Sequence, residues 1–398
     1  MISNHPFRHL HFTALLLMLV GLTATAQERN EQRIRMDATI NGKTAHLIYD
    51  TGASTLILFA KGATRLGLSF TNAPKDVPAK PGVVAFGTTE LCDWAIGNSH
   101  GRESFPIVEI PAMLHLSADG VIGWGAVNSN ITLIDAGLGT VTCFAKLPPE
   151  TATWIQCKLR TNFYTMQFES SASTDAPYNI LVDTGASGGV ELSEEKWQSW
   201  KKAHKNDPMT LMAHYTPHAG LVITEEAWAK ELSFGRFSLT DVAVMESDHS
   251  DSKEGITATW GLSALKRVDM IVDGPKGILY LRPSNKPAPP YEHNRLGAVF
   301  TPVDLQTSDD LIAHVITNSP AYNAGIRNGD VLLKIDTLDV TKWRTDPNVL
   351  PLTRFWERPA GSNLKLELRR GGEKTTVDVV LQQILSPGTN TMVKPTHK

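Results

Sequence analysis

The chain has 398 residues, enough for two or three domains with real cores. Lys and Arg number 38 against 41 Asp and Glu, giving a net charge of −3 with the signs interspersed and a pI near 6.5. No basic stripe is present, which argues against nucleic acid as a partner. Residues 1–26 read as a secretory leader: Arg8, the apolar stretch Phe12–Leu22, and the small-residue cleavage pattern Ala24-Thr25-Ala26. That stretch falls well short of the roughly 20 apolar residues of a membrane span. The mature chain is therefore expected to be exported, periplasmic or secreted, with no membrane span after cleavage. His5, His9 and His11 belong to the leader and form no metal site.

The first informative element is Leu47-Ile48-Tyr49, an apolar run closed by Asp50-Thr51-Gly52-Ala53-Ser54. It reads as a buried strand entering a tight turn, with the acid at the turn. Downstream, Asp119-Gly120-Val121-Ile122-Gly123-Trp124-Gly125 reads as a short apolar strand in which Gly123 permits a close backbone approach. Candidate surface hairpins lie at Lys80–Thr89 and, later, at His214–Thr224. Ile131–Asp135 followed by Gly139-Thr140-Val141 reads as a hairpin around an Asp/Gly turn.

The same order then repeats. Ile180-Leu181-Val182 precedes Asp183-Thr184-Gly185-Ala186-Ser187, an identical pentapeptide in an identical context. Ala258-Thr259-Trp260-Gly261-Leu262 stands where the first copy has Gly123: that glycine lies 73 residues after Asp50, and Gly261 lies 78 after Asp183. Thr259-Trp260 replaces two aliphatic residues, so this copy of the strand is the weaker one. Asp93–Gly97 with Phe105–Val108 parallels Leu232–Gly235 with Leu239–Val244, and Asp269–Asp273 with Gly277–Leu281 repeats the late hairpin. An aspartate at the end of a buried strand is costly to ionise unless compensated. Two of them in matching contexts suggest that each is the other's neighbour and that they share a proton.

The two Asp-Thr-Gly-Ala-Ser segments with their glycine-bearing strands resemble the retropepsin-like aspartic peptidases. The resemblance implies a mainly β fold of two pseudo-symmetric β-barrel lobes, 27–148 and 149–282. It implies an endopeptidase in which Asp50 and Asp183 activate a water. Thr51, Gly52, Thr184 and Gly185 would support the loops, and Gly123 and Gly261 would mark the crossing strands. Because one chain carries both acids, a monomer would hold the whole site. Peptides or unfolded proteins are the expected substrates, with no cofactor and no metal. A catalytically silent peptide-binding scaffold of the same fold is the alternative. Ala53 and Ala186 stand where pepsin-like enzymes carry a hydroxyl, which implies a pH optimum nearer neutrality.

Three cysteines, Cys92, Cys143 and Cys157, lack metal-ligand spacing and are assigned no pairing. Asn130-Ile131-Thr132 is a glycosylation sequon. The acidic run Glu246–Asp251 reads as a solvated turn. Residues 283–294, with Pro287, Pro289 and Pro290, read as a stiff linker. Beyond it, Leu296-Gly297-Ala298-Val299-Phe300, then Asn318-Ser319-Pro320-Ala321 through Ala324-Gly325 to Gly329-Asp330-Val331, resemble a PDZ domain of the bacterial protease-associated type, spanning 295–385 before a tail at 386–398. The resemblance implies that Gly297, Ala298, Val299 and Phe300 form the loop that receives a peptide C-terminus. Val349–Glu357 would supply a short groove helix between prolines.

Overall fold

The computed structural model describes residues 33–72, 84–109, 117–160, 164–170, 177–216, 220–247, 255–287, 290–303, 308–346 and 348–385. The leader, the C-terminal tail, Lys80 to Val83 and most of the acidic run lie outside these residues.

The first repeat begins with the strand Arg35–Ile40, which turns at Asn41-Gly42 and returns as Lys43–Asp50. Both turn residues have positive φ, 46° and 76°, the geometry of a two-residue hairpin turn that Asn-Gly favours. Along Lys43–Asp50 the outer half alternates, and Leu47 to Asp50 are all buried, as in a strand covered on both faces. Four strands then interlock. Lys43–Asp50 lies parallel to Gly120–Gly123, with Asp50 opposite Gly123. Leu56–Phe59 lies antiparallel to Gly120–Gly123 on its other side and parallel to Pro106–Glu109.

The second repeat pairs its strands in the same senses. Asn179–Val182 is parallel to Ala258–Trp260, Val190–Leu192 is antiparallel to Ala258–Trp260, and Val190–Leu192 is parallel to Phe237–Glu246. Smaller contacts repeat too: the Asp119 carboxylate accepts the His46 amide at 2.7 Å, and the Thr257 hydroxyl accepts the Asn179 amide at 2.8 Å. The weaker copy of the crossing strand does form. Trp260 is fully buried and packs with its ring against Phe168, Phe234 and Phe237, at centroid separations of 5.4, 5.0 and 5.7 Å. One large aromatic fills the volume that aliphatic side chains fill in the first repeat.

The two repeats join through their late hairpins. Ile131–Asp135 runs antiparallel to Val268–Asp273, so a single sheet passes from one repeat into the other. One hydrophobic core likewise contains residues of both, from Ile34 to Leu281. Asn130 sits at this seam almost wholly buried. Its amide nitrogen donates to the Ser99 hydroxyl at 2.7 Å, and its oxygen accepts the Asn98 amide at 3.0 Å, so the sequon is a packed structural residue in the fold.

Some local expectations differ from the structure. In the first repeat Phe70–Asn72 pairs with Gly87–Thr89, so the hairpin starts ten residues before Lys80. Gly87 lies in the return strand beside a register shift. The groove helix is reduced to Thr353–Trp356, preceded by Pro351. The stretch Tyr291 to Arg295 is not a free spacer: His293, Asn294 and Arg295 are buried. Residues from 296 onward build their own core around Phe300, Trp343, Trp356 and Leu366, in a six-stranded sheet. No helix among the described residues is long and apolar enough to cross a membrane.

Candidate active site

Each pentapeptide leaves the end of a buried strand and folds back at once. The Ala53 amide donates to the Asp50 carbonyl at 3.1 Å, closing the turn. The inner oxygen Oδ1 of Asp50 accepts the amides of Gly52 at 2.9 Å and Ala53 at 3.1 Å. Asp183 Oδ1 accepts the amides of Gly185 at 2.8 Å and Ala186 at 3.1 Å. The same four-residue geometry thus holds both carboxylates by one oxygen, leaving Oδ2 to face across the seam.

The two loops are locked together by their threonines. The Thr51 hydroxyl donates to the Val182 carbonyl at 2.5 Å and accepts the Thr184 amide at 3.1 Å. Reciprocally, the Thr184 hydroxyl donates to the Tyr49 carbonyl at 2.7 Å and accepts the Thr51 amide at 3.0 Å. Every bond crosses between repeats, and all the groups are buried. A hydroxyl is suited to this because it donates and accepts at once.

The lock brings each acid onto the other's glycine. A Cβ at Gly52 would lie 2.7 Å from both Cγ and Oδ2 of Asp183, and one at Gly185 would lie 2.5 Å from Asp50 Oδ2. Only hydrogen fits there. The crossing strands hold the loops from behind: the Trp124 amide donates to the Ala53 carbonyl and the Leu262 amide to the Ala186 carbonyl. A Cβ on Gly123 would meet Ala53 O at 2.5 Å, and one on Gly261 would meet Gly188 O at 2.6 Å. Asp50, Thr51, Gly52, Asp183, Thr184, Gly185, Gly123 and Gly261 therefore come together in one place.

Both carboxylates have no solvent exposure. Burial pushes the Asp50 carboxyl well above the ordinary carboxylate range, and the charge and hydrogen bond of Asp183 push it further; the Gly52 amide and the Arg33 guanidinium pull it back. Such a pair carries one proton between two groups over a broad pH range.

Arg33 escaped the sequence reading. It is buried to 6 % exposure, and its Nη1 donates to the Gly185 carbonyl at 2.8 Å, reaching from the start of one repeat to the acid loop of the other. An arginine at the head of a strand ordinarily reads as a solvated strand end. In the second repeat Thr165 holds the matching place, because Met166 O accepts the Val182 amide as Ile34 O accepts that of Tyr49, each at 2.9 Å. Asp119, by contrast, is a structural acid. Arg65 pairs with it, and this partner with the His46 amide holds its carboxyl below the usual range against the opposing effect of burial.

The C-terminal candidate residues form a separate group. Gly297, at φ 70°, enters the strand Ala298–Pro302, and Ala298, Val299 and Phe300 are buried. The amides of Leu296 and Gly297 donate to Asn294 Oδ1 at 2.9 and 3.2 Å. Among the described residues no group of three or more His, Cys, Asp or Glu side chains has a metal-holding arrangement, and all three cysteines are free.

Comparison with known proteins gives two family matches. The aspartyl protease family model matches residues 36–126, which include the first pentapeptide and its crossing strand. The PDZ domain model matches residues 295–381. No curated protein matches the chain. The chain thus carries an aspartyl protease domain over 36–126 and a PDZ domain over 295–381, the first implying peptidase chemistry and the second peptide binding.

Proposed function

We propose that the chain is an exported aspartic endopeptidase of two retropepsin-like lobes, working through Asp50 and Asp183 within one monomer. The observation that carries this reading is the pair of buried carboxylates, each fixed by two backbone amides and facing the other's glycine across interlocked threonines. In the proposed reaction one carboxylate is ionised and takes a proton from a water held between the pair. The other is protonated and hydrogen-bonds the scissile carbonyl. The water oxygen adds to the carbonyl carbon, and the tetrahedral intermediate collapses with cleavage of the C–N bond as the leaving amine takes the proton that the first carboxylate removed from the water. The raised affinity of Asp50 for its proton supports this mixed state. The PDZ domain would receive peptide ends of substrates or partners.

The test is hydrolysis of denatured casein by Asp50→Asn and Asp183→Asn. Each substitution is expected to cost about 10³-fold or more, as loss of a general acid or base does, and an equimolar mixture of the two variants is expected to stay inactive. Thermal melts near neutral pH should hold or rise. A carboxyl whose folded pKa is raised favours folding at low pH, and that contribution is lost as pH rises through the folded value, so Asn removes a cost. Hydrolysis surviving both single changes would sink the dyad mechanism. Saturable binding of a statine-type analogue without cleavage would favour the silent peptide-binding reading.

A further inference from the structure

The PDZ sheet ends in the strand Ala298–Pro302, which pairs with Leu311–Val315 on one side and stands last in the sheet order. Such an edge presents unpaired backbone groups and is where an incoming peptide adds as a strand. Here, however, Ala298, Val299, Phe300 and Thr301 are all buried. Ala298 and Phe300 belong to the PDZ domain's own core, and further cover for this edge comes from the second repeat. Its strand Met209–Thr216 is itself the last of a seven-stranded sheet, and Leu211, Met212 and Ala213 line a small cavity together with Val299, Phe300 and Trp356. Two sheet edges thus shield each other.

Asn294 sits between them and uses its whole side-chain amide. Oδ1 accepts the Leu296 and Gly297 amides at 2.9 and 3.2 Å, while Nδ2 donates to the carbonyls of Leu211 at 2.9 Å and Ala298 at 2.8 Å. Its backbone carbonyl accepts the Thr210 hydroxyl at 2.7 Å. The Leu296 and Gly297 amides belong to the loop where a PDZ domain captures a terminal carboxylate in a nest of N–H groups. One residue therefore fills the carboxylate's place and ties that loop to the second repeat. Aspartate could not do both, since it lacks the donor for two buried carbonyls.

We propose that Asn294 is a latch, so that a peptide C-terminus enters the PDZ edge only by displacing the Asn294 amide and parting the edge from Met209–Thr216. A carboxylate can compete, because its bonds to backbone N–H groups are charge-assisted and those of a neutral amide are not. The strand it frees belongs to the sheet whose inner strand Asn179–Val182 ends at Asp183, so ligand binding at the PDZ edge bears on the half of the protein that carries the second acid. The proposal rests on the PDZ domain as a peptide-binding module and not on peptidase activity.

The experiment measures binding of a fluorescein-labelled hexapeptide ending in valine, with a free carboxylate or amidated, to the full chain and to Asn294→Ala and Thr210→Val. Asn294→Ala should tighten the free-acid peptide roughly tenfold, about 1.4 kcal/mol, and leave the amidated peptide unchanged. Thr210→Val removes one tie to the second repeat while keeping the loop contacts, and should tighten it less; it also serves if Asn294→Ala misfolds. Saturating free-acid peptide should speed hydrogen exchange of the amides in Met209–Thr216 of the unaltered protein. Equal affinity in all three proteins, or binding without that faster exchange, would overturn the latch while leaving the peptide-binding reading intact. Binding to none of them would overturn both.

Discussion

The acid loops of the two repeats carry the same five residues and the same carboxylate and threonine hydrogen bonds, yet their surroundings differ. Behind Asp50 the crossing strand is aliphatic, Val121-Ile122; behind Asp183 it is Thr259-Trp260 in an aromatic cluster. At the head of the first repeat stands a buried arginine, and at the matching place of the second a threonine whose hydroxyl accepts the Gln167 side chain at 2.8 Å. The lesson is that local geometry is set by the pentapeptide and charge asymmetry by its neighbours. Arg33 bonds the Gly185 carbonyl while its charge favours the ionised form of Asp50. The second repeat supplies no such cation at its matching place, where Thr165 stands.

The largest way to break the equivalence is steric. Gly52→Ala and Gly185→Ala each drive a Cβ into the opposite carboxylate, and displacement of a reacting group by about 1 Å costs on the order of a hundredfold. Peptide hydrolysis should fall at least that far in both. Gly185→Ala should be the worse, because Arg33 also pins that loop; equal losses would show that the pin carries no constraint.

Removing the lock tests stability. Thr51→Val and Thr184→Val each orphan a buried amide and a buried carbonyl, at about 1–3 kcal/mol per group. Urea unfolding should register similar losses for the two, since their bonds are reciprocal. A much smaller effect of one would mean that its loop has another anchor.

Charge asymmetry is a finer matter, read from pH profiles. Arg33 lowers the pKa of Asp50 against burial and Asp183, so Arg33→Met should move the acidic limb of kcat/KM to higher pH. Thr165→Val, at the neutral counterpart, should leave that limb in place. An unmoved limb in Arg33→Met would remove the electrostatic role and leave only the bond to Gly185.

The smallest expected effect concerns Ala53 and Ala186, which are buried and bring no hydroxyl to the acids. Threonine at both would offer each carboxylate a further donor, which favours the charged form. The acidic limb should then move downward, and an upward move would show that crowding outweighs the added bonds.

Much of this site was legible because its constraints are local. A strand that must end in a turn, with backbone amides free to hold a carboxylate, needs Asp, Gly and small residues at fixed offsets, and the chain writes them twice. The crossing glycines were legible for the same reason. The first hairpin starts earlier than Lys80 because the partner of Gly87–Thr89 is Phe70–Asn72, a short strand that carries no turn signal of its own. Trp260 looked unsuited to the crossing strand because its partners Phe168, Phe234 and Phe237 come from distant elements.

From sequence alone came the repeat, the two acids with their threonines and glycines, and the PDZ core, since each follows from short-range backbone geometry and apolar patterning. Tertiary structure alone decided that Arg33 is buried against Gly185, that Asn294 is tied to Leu211 and Thr210 of the second repeat, and that Met209–Thr216 lies against the PDZ edge. A polar side chain reads as solvated until the surface that would bury it is known. That surface is built by residues more than eighty positions away in each case, which no local pattern encodes.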